Sequence, residues 1–534
     1  MSTPIHYRTP GVYVERLLNP QYVELGRTDV AGLVGIAERG PVQRATKVES
    51  RRQFETTFGA RVPHGYLGYA VEGFFANGGR TCWIVRVADP AQAAPARARL
   101  FIAGRRPFVL EATSPGAWGN RIEVSAVWGR DRITHLVART PPGRTQSVDL
   151  DLLDPPQRPS RPDVFTNLLG VAEDALPELT CENLVRIAED SSWVPSRELD
   201  ARTRTIVLQG GADGLASLTP NHFTGHPDRE CTWGVAALES VDNVSFVAVP
   251  DLMAGQDLTS HVGDFGGFDS DRLHDAQIDV ITSCLRRRDR MAILDMPPVR
   301  LDQVLGLASR ERWPSTSFAA FYHPWVLVDD PLRVRGIVRA IPPSGHVAGM
   351  YARTARLRGV QKPPANEVLE GACDVRESLD DRAHGDLNES AVNAIRAIAA
   401  RGVLVLGART LDPDMRWRYV NVRRLFTAIE EALDEQMQWL TFEPSNPRLW
   451  REIDRVVSGF LERLYRQGML DGETSEQAYS VRCDESTNPP SETDEGHVIC
   501  VIGLQPPYPA EFVVVRIGVT RSGIQIEEKG AQDA

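Results

Sequence analysis

Two histidines and a cysteine lie close together in one segment of the chain, and such residues can bind zinc. His222 and His226 are four residues apart, and Cys231 follows shortly after them. On a helix, two histidines at this spacing point to the same side and can ligate one metal ion. Pro220 and Pro227 disfavour a helix here. We therefore interpret the segment as a solvated loop and expect no metal site.

Two aspartates each follow an apolar run that predicts a parallel strand. Asp251 comes after residues 246–249, and Asp295 comes after residues 291–294. Carboxylates at the carboxyl ends of strands often line the active sites of α/β proteins, so this pair could serve a metal- or phosphate-handling enzyme. Each aspartate also lies beside a proline, and turn formation explains them equally well. The enzyme remains the alternative interpretation.

A glycine-rich stretch at residues 210–214 could expose backbone N–H groups to a phosphate. It lacks the lysine and the serine or threonine that follow in a P-loop, so we interpret it as a tight turn. The chain also lacks the motifs of dinucleotide-binding proteins, zinc proteases, serine hydrolases and EF-hands. We expect no cofactor and no enzymatic activity.

Composition narrows the possible partners. The 534 residues carry a net charge of −11, which argues against a broad nucleic-acid surface. No apolar run is long enough for a transmembrane helix, and the first residues lack the pattern of a secretory signal. The seven cysteines are widely spaced, as is typical of reduced thiols. These features predict a protein that folds in the cytoplasm and does not insert into membranes.

Alternating apolar runs and amphipathic stretches predict an α/β fold. Runs at 246–249, 291–294 and 318–322 indicate strands of a mainly parallel sheet, with a helix predicted over 272–288. A second α/β unit is predicted after residue 346. It contains a long helix that begins at Asn446 as the cap and Pro447 at the first position.

Two short β-prone stretches stand apart from these units, each next to prolines. A strand without a neighbouring hairpin partner must pair elsewhere, in this molecule or in another. Their residues are Val12, Tyr13, Val14 and Glu15 near the start, and Phe512, Val513, Val514, Val515, Arg516 and Ile517 near the end.

Several motifs, in a consistent order, resemble the contractile tail sheath family of phages, R-type bacteriocins, type VI secretion and extracellular injection systems. The opening motif is Tyr-Arg-Thr-Pro-Gly-Val-Tyr-Val-Glu at residues 7–15. Further matches lie at residues 73–87 and 208–214, and the densest lie between residues 349 and 513. The motif positions that we expect to be structural are Gly78, Gly79, Gly210, Asp213, Gly407, Arg409, Trp417, Tyr419, Asn421 and Arg423.

The resemblance implies a structural subunit that stacks as hexameric rings around an inner tube and contracts to drive that tube through a target envelope. It implies that the terminal strands pair with neighbouring copies. The expected partners are the chain itself, the inner tube protein, and baseplate and terminator or cap proteins. Assembly is expected in the cytoplasm, as part of a phage tail or a phage-tail-like particle that either stays in the cytoplasm or is released by lysis.

The resemblance and the sequence pattern together predict five segments. These are an N-terminal arm at 1–22, a discontinuous middle α/β domain at 23–100 plus 205–345, an outward-facing inserted module of short strands at 101–204, a C-terminal α/β domain at 346–504 that faces the tube, and a C-terminal arm and tail at 505–534.

Overall fold

The structure, a computed structural model, describes most of the chain. The described residues are 23–101, 108–128, 133–140, 144–149, 184–188, 196–198, 205–225, 232–256, 266–330, 332, 337–511, 513–520 and 523–530. The predicted N-terminal strand at residues 12–15 and Phe512 lie outside them.

Helices and strands alternate along much of the chain. The helices are α1 (Arg51–Phe58), α2 (Leu67–Ala76), α3 (Pro220–Thr224), α4 (Ser270–Arg287), α5 (Leu301–Leu307), α6 (Ser344–Arg358), α7 (Asp381–Glu389), α8 (Val420–Gln436), α9 (Pro447–Arg466), α10 (Ser475–Ala478) and α11 (Pro490–Asp494). None of the helices in the described ranges combines the length and apolarity that a membrane crossing requires.

The strands fall into one large sheet and several small ones. They are β1 (Val30–Gly35), β2 (Thr46–Val48), β3 (Thr81–Arg86), β4 (Arg97–Phe101), β5 (Phe108–Ala112), β6 (Glu123–Trp128), β7 (Ile133–Thr140), β8 (Arg144–Asp149), β9 (Val185–Ala188), β10 (Ser196–Glu198), β11 (Thr205–Val207), β12 (Phe246–Ala248), β13 (Met291–Asp295), β14 (Ala319–His323), β15 (Val326–Asp329), β16 (Val338–Ile341), β17 (Glu367–Val368), β18 (Asp374–Val375), β19 (Val392–Ile398), β20 (Gly402–Val405), β21 (Tyr479–Arg482), β22 (Val501–Leu504), β23 (Val513–Thr520) and β24 (Gly523–Gly530).

The large sheet contains nine of the described strands, in the order β17-β20-β19-β14-β13-β12-β1-β3-β2. Its central pairs, from β19 to β3, are parallel, and its outer pairs are antiparallel. Strands β1, β12, β13 and β14 are buried along their whole length, which explains why they appear in the sequence as continuous apolar runs. The predicted mainly parallel α/β sheet is confirmed.

The predicted domain boundary at 345/346 does not coincide with a break in this sheet. Phe321 of β14 pairs with Val392 of β19, so residues on both sides of the boundary share one set of backbone hydrogen bonds. The described residues divide into two compact units, one drawn from residues 27–427 and 508–534 and the other from residues 1–26 and 428–507. The division between residues 427 and 428 falls inside α8, where a helical pattern gives no signal of a boundary.

A separate apolar core lies within the region of short strands. Strands β10, β4, β5 and β9 form one sheet, and β11, β6, β7 and β8 form another. Leu110, Trp118, Val124 and Leu136 are buried in this core. The two small sheets therefore share an apolar core that is distinct from that of the large sheet.

Within the unit of residues 428–507, α9 begins as predicted. The Asn446 side chain accepts hydrogen bonds from the backbone N–H groups of Arg448 and Leu449, at 3.0 and 3.1 Å. Pro447 occupies the first helical position, where its missing N–H costs nothing. The predicted apolar face is buried, at Leu449, Ile453, Val456, Phe460 and Leu464.

Candidate functional site

The C-terminal strand forms a hairpin with the residues that follow it. β23 pairs antiparallel with β24, with Val515 opposite Glu528 and Ile517 opposite Ile526. Neither strand pairs with any other strand of the described residues, so each has one edge whose backbone groups remain available. A strand over residues 512–517 was predicted, and its local partner was missed. The signal for that partner is the alternation of Ile524 and Ile526 with polar residues.

An ion pair fixes the point at which this hairpin begins. The Nε atom of Arg409 donates to Oε1 of Glu511 at 2.9 Å, and its Nη2 atom donates to the other carboxylate oxygen. Nη1 of Arg409 donates to the carbonyl of Asn388 at 2.9 Å. The two side chains are only 11% and 19% exposed, and hydrogen bonding to Glu511 raises the pKa of Arg409. A bidentate pair of this kind is geometrically specific.

Asn393 holds the backbone around Arg409. Its Nδ2 atom donates to the carbonyls of Phe321 and Arg409, at 3.0 and 2.8 Å, and its Oδ1 atom accepts the Arg409 N–H at 2.7 Å. A Cβ atom on Gly407 would lie 2.7 Å from that same Oδ1 atom, so a side chain at 407 would displace the amide. The sequence analysis missed Asn393, because nothing in the sequence distinguishes a buried asparagine in a strand.

Aromatic and cationic side chains of the same motif pack around Arg423. Its guanidinium lies 4.6 Å from the ring centre of Phe318 and 4.8 Å from that of Trp417. The Trp417 ring packs edge-on against Phe426, with 4.9 Å between ring centres. Tyr419 packs against Tyr508, which lies three residues before Glu511, with 6.3 Å between ring centres. Two aromatic contacts and one ion pair therefore involve the predicted positions 409, 417 and 419.

Asn421 and its neighbour Arg424 connect α8 to other parts of the core. Asn421 is fully buried and donates through Nδ2 to the carbonyl of Gln361 at 2.9 Å. Arg424, which the sequence analysis missed, donates to the carbonyl of Thr28 at 2.8 Å and lies 4.9 Å from the ring centre of Tyr351. Burial lowers the pKa of Arg424 to about 10.

The motif glycines meet specific steric requirements. Gly78 has φ of +93°, and a Cβ on Gly79 would lie 2.3 Å from the buried Phe74 ring. In the predicted turn, Gly210 has φ of +83°, and Oδ1 of Asp213 accepts the N–H of Ala117 at 2.8 Å.

The backbone at Gly211 is already engaged. Its N–H donates to Oδ1 of Asn120 and its carbonyl accepts from Nδ2 of Asn120, both at 2.8 Å. These bonds fit a structural turn rather than a phosphate cradle.

Asp251 and Asp295 are both buried and accept backbone hydrogen bonds. Asp251 accepts from the N–H groups of Ile36 at 2.6 Å, Leu67 at 3.2 Å and Tyr66, and so joins the end of β1 to the start of α2. Asp295 accepts from the N–H of Ser344 at 2.8 Å, at the start of α6. Burial raises the pKa of Asp251 to about 6 and that of Asp295 to about 7. Each carboxyl group holds a helix start in place.

The expectation that proline prevents a helix around His222 was wrong. Residues Pro220–Thr224 form one helical turn, because a proline at the first position needs no backbone partner. The His222 ring stacks on Trp233 at 5.0 Å, and its Nε2 atom lies 3.7 Å from Asp89. His226 and Cys231 lie outside the described residues, within which no three metal-binding side chains come together.

Comparison with known proteins finds similarity to tail sheath proteins. Residues 412–520 match the family described as the phage tail sheath C-terminal domain. The chain is 22% identical over 198 residues to the tail sheath protein of Enterobacteria phage T4, covering 36% of this chain and 28% of that protein. It is 25% identical over 275 residues to the tail sheath protein of Salmonella phage ViI, covering 47% and 40%. These matches span less than half of each relative's length.

The fold similarity extends over almost the whole chain. The contracted sheath complex of PVC, an extracellular contractile injection system, superposes with a TM-score of 0.55 at 20% identity, covering 98% of this chain and 99% of that one. The resemblance stated from the sequence is thus confirmed: the chain carries a match to the phage tail sheath family at its C-terminal end and shares the sheath fold.

Proposed function

We propose that this chain is the structural sheath subunit of a contractile, phage-tail-like particle. It polymerises as stacked hexameric rings around an inner tube and contracts to drive that tube through a target envelope. The observation that supports this most strongly is the sheath fold over 98% of the chain, together with the family match at residues 412–520.

The C-terminal hairpin suits a role in linking subunits. Strand addition obtains affinity from main-chain hydrogen bonds and register from alternating side chains. β23 and β24 each have one edge with no strand partner among the described residues, so the hairpin can receive a strand from a neighbouring copy. We propose that residues 12–15 of a neighbour supply that strand.

The Arg409–Glu511 pair would keep the hairpin attached to its own subunit while the subunits rearrange. Contraction moves nearly rigid subunits between two packings. A segment that links them must therefore stay attached to its own subunit while its other end pairs with a neighbour. The attachment is a bidentate ion pair with both side chains mostly buried. Interfaces of permanent assemblies usually exceed about 2,000 Å², and a larger buried area in the contracted form would supply the energy.

The remaining assignments belong to the same proposal. The inner tube protein, the baseplate and a terminator or cap protein are the partners, with the C-terminal domain facing the tube and the 101–204 module facing outward. Assembly takes place in the cytoplasm. The alternative, an α/β enzyme that uses Asp251 and Asp295, has less support because both carboxyl groups are buried and accept backbone hydrogen bonds.

The test is to express three forms of the protein and image them by negative-stain electron microscopy. They are the full chain, a truncation after Glu511 that removes both hairpin strands, and a truncation after Gly530 that retains them. We expect hollow tubes of stacked rings from the full chain and from the longer truncation, and folded single subunits from the shorter one.

The outcomes separate the parts of the proposal. A full chain that remains a monomer at high concentration and in the presence of its particle's tube protein would contradict the sheath assignment. Tubes that form without residues 512–534 would keep the sheath assignment and remove the hairpin from it. Circular dichroism of the shorter truncation shows whether the rest of the chain has folded.

A further inference from the structure

Two cysteines face each other where the β21–β22 hairpin ends. The last facing residues of this antiparallel pair are Arg482 and Val501, so Cys483 and Cys500 are next on each side. Directly facing residues of antiparallel strands have Cα atoms about 4.5–5.5 Å apart. This spacing falls within the range of about 4.4–6.8 Å that a disulfide bridge requires.

The two thiols differ in how far solvent can reach them. Both are free thiols in the structure. Cys483 is only 5% exposed, whereas Cys500 is half-buried. Burial raises the pKa of both, that of Cys500 to about 12, and the carboxylate of Asp454 acts in the same direction. Of the two, Cys500 is the more accessible thiol.

Asn488 already joins the two ends of the segment between these cysteines. Its Nδ2 atom donates to the carbonyl of Ile499 at 3.0 Å, and its Oδ1 atom accepts the Ile499 N–H at 2.6 Å. The same Nδ2 atom lies 3.9 Å from the Cys483 sulfur. Because Asn488 is 2% exposed and fully engaged, the loop is held closed next to the thiols before any covalent bond forms.

We propose that Cys483 and Cys500 are a modification site: an oxidisable dithiol that closes the loop of residues 484–499 with a disulfide. This goes beyond the sheath assignment and does not depend on it. The oxidant is a low-molecular-weight disulfide such as oxidised glutathione.

The exchange proceeds in two steps. The more exposed Cys500 loses its proton to solvent, and its thiolate attacks one sulfur of the small disulfide. The S–S bond breaks, and one small thiolate leaves and takes up a proton. Cys483 then loses its proton and its thiolate attacks the Cys500 sulfur of the mixed disulfide. The bond between Cys500 and the small thiol breaks, and the second small thiolate leaves and takes up that proton. Two protein thiols are oxidised and one small disulfide is reduced to two thiols.

A disulfide here would stabilise a segment that exposes apolar surface. Val498, Ile499 and Val501 are 36%, 38% and 53% exposed, at the C-terminal end of the loop and the start of β22. A bridge between Cys483 and Cys500 restricts the open states of the loop, because closing a loop removes chain entropy from the unfolded ensemble. The oxidised form should therefore resist cleavage within the loop.

The experiment uses the full chain, incubated with oxidised glutathione or with dithiothreitol and then blocked with N-ethylmaleimide. Trypsin releases both cysteines on one peptide, residues 483–516, because Arg482 and Arg516 are consecutive cleavage sites. We expect this peptide to lose two hydrogens and to carry no blocking group after oxidation. Further cleavage at the glutamates should leave two fragments joined until they are reduced.

The variant Cys500→Ser is the matched control, and Cys373→Ser removes the exposed thiol elsewhere. A glutamate-specific protease should cleave the loop of the native protein more slowly after oxidation. This slowing should be absent in Cys500→Ser and retained in Cys373→Ser. Oxidation of Cys373 shows that the treatment has worked. If Cys483 and Cys500 both still react with N-ethylmaleimide in that sample, the proposal is wrong. Pairing of either cysteine with a different one would also overturn it.

Discussion

Arg409 and Glu511 are 102 residues apart in the chain, yet Nε of the first lies 2.9 Å from Oε1 of the second. This ion pair joins the segment that follows β20 of the large sheet to the segment that precedes the C-terminal hairpin. A residue that the sequence analysis named from a motif thus forms one local arrangement with the residue that precedes the predicted C-terminal strand.

Substituting Arg409→Ala should release the hairpin from the subunit. Loss of one partner leaves a mostly buried carboxylate without its cation, which costs about 2 kcal/mol of subunit stability. We expect a lower midpoint of urea unfolding and a strong loss of sedimentable tubes. Arg416→Ala is the control, because its pair with Asp414 is 79% exposed on the arginine side and should change neither quantity. Equal effects of the two variants would contradict the anchoring role.

Substituting Gly79→Ala should destabilise the large sheet. The added Cβ would lie 2.3 Å from the buried Phe74 ring, and overpacking of this kind costs about 1–3 kcal/mol. Gly385→Ala is the matched control, because Gly385 is exposed on α7 and a Cβ there meets nothing within 4 Å. That variant should be neutral or gain up to about 1 kcal/mol from helix propensity. Thermal unfolding of both variants measures the difference.

Substituting Asp295→Asn should reduce the pH dependence of stability. Burial raises the pKa of Asp295 to about 7, whereas in the unfolded chain it titrates near about 4. The folded state holds the proton more tightly, so stability is full below pH ~4 and falls as the pH rises through about 7. Asparagine has no proton to lose and should retain roughly 4 kcal/mol more than the parent above that range, at about 1.4 kcal/mol per pKa unit.

Urea unfolding across this pH range measures the effect of Asp295→Asn. The exposed Asp302→Asn should leave the profile unchanged. If the stability of the parent, of Asp295→Asn and of Asp302→Asn rises by the same amount from pH 4 to pH 7, Asp295 is ionised throughout this range and the prediction is wrong. Asp251, whose pKa is raised to about 6, acts in the same direction and stays in place in both variants.

Substituting Asn446→Ala should weaken the start of α9. Its side chain accepts two backbone N–H bonds, and removal of such a cap costs about 1 kcal/mol. Hydrogen exchange should speed up for the amides of Arg448 and Leu449. Asn446→Asp is the control, because it keeps an acceptor at the cap and should preserve protection there.

The sequence predicted those features that depend on local pattern. Apolar runs gave the strands β12, β13 and β14, and Asn446 followed by Pro447 gave the start of α9 within one residue. Gly79 was named from a motif. The reason why glycine is required there, the Phe74 ring next to it, is visible only in the structure.

Features that depend on distant contacts were not predictable in the same way. Asn393, Arg424 and the Glu511 partner of Arg409 are defined by neighbours far away in the chain. The strand order of the large sheet was not predictable either, because tertiary contacts set it: β19 lies beside β14, although many residues separate them in the chain. The aspartates at the strand ends were recognised from the sequence. Only their backbone hydrogen bonds in the structure show that they support the starts of helices.

The position of Glu511 also determines how mechanical load would pass through a polymer of this chain. Residues 428–507 form a compact unit between Arg409 and Glu511 in sequence, yet the ion pair closes directly across that interval. In the proposed polymer, a force on the hairpin would reach Arg409 directly through the ion pair as well as along the chain through residues 428–507. The ion pair therefore gives the hairpin a second and shorter connection to the residues that follow the large sheet.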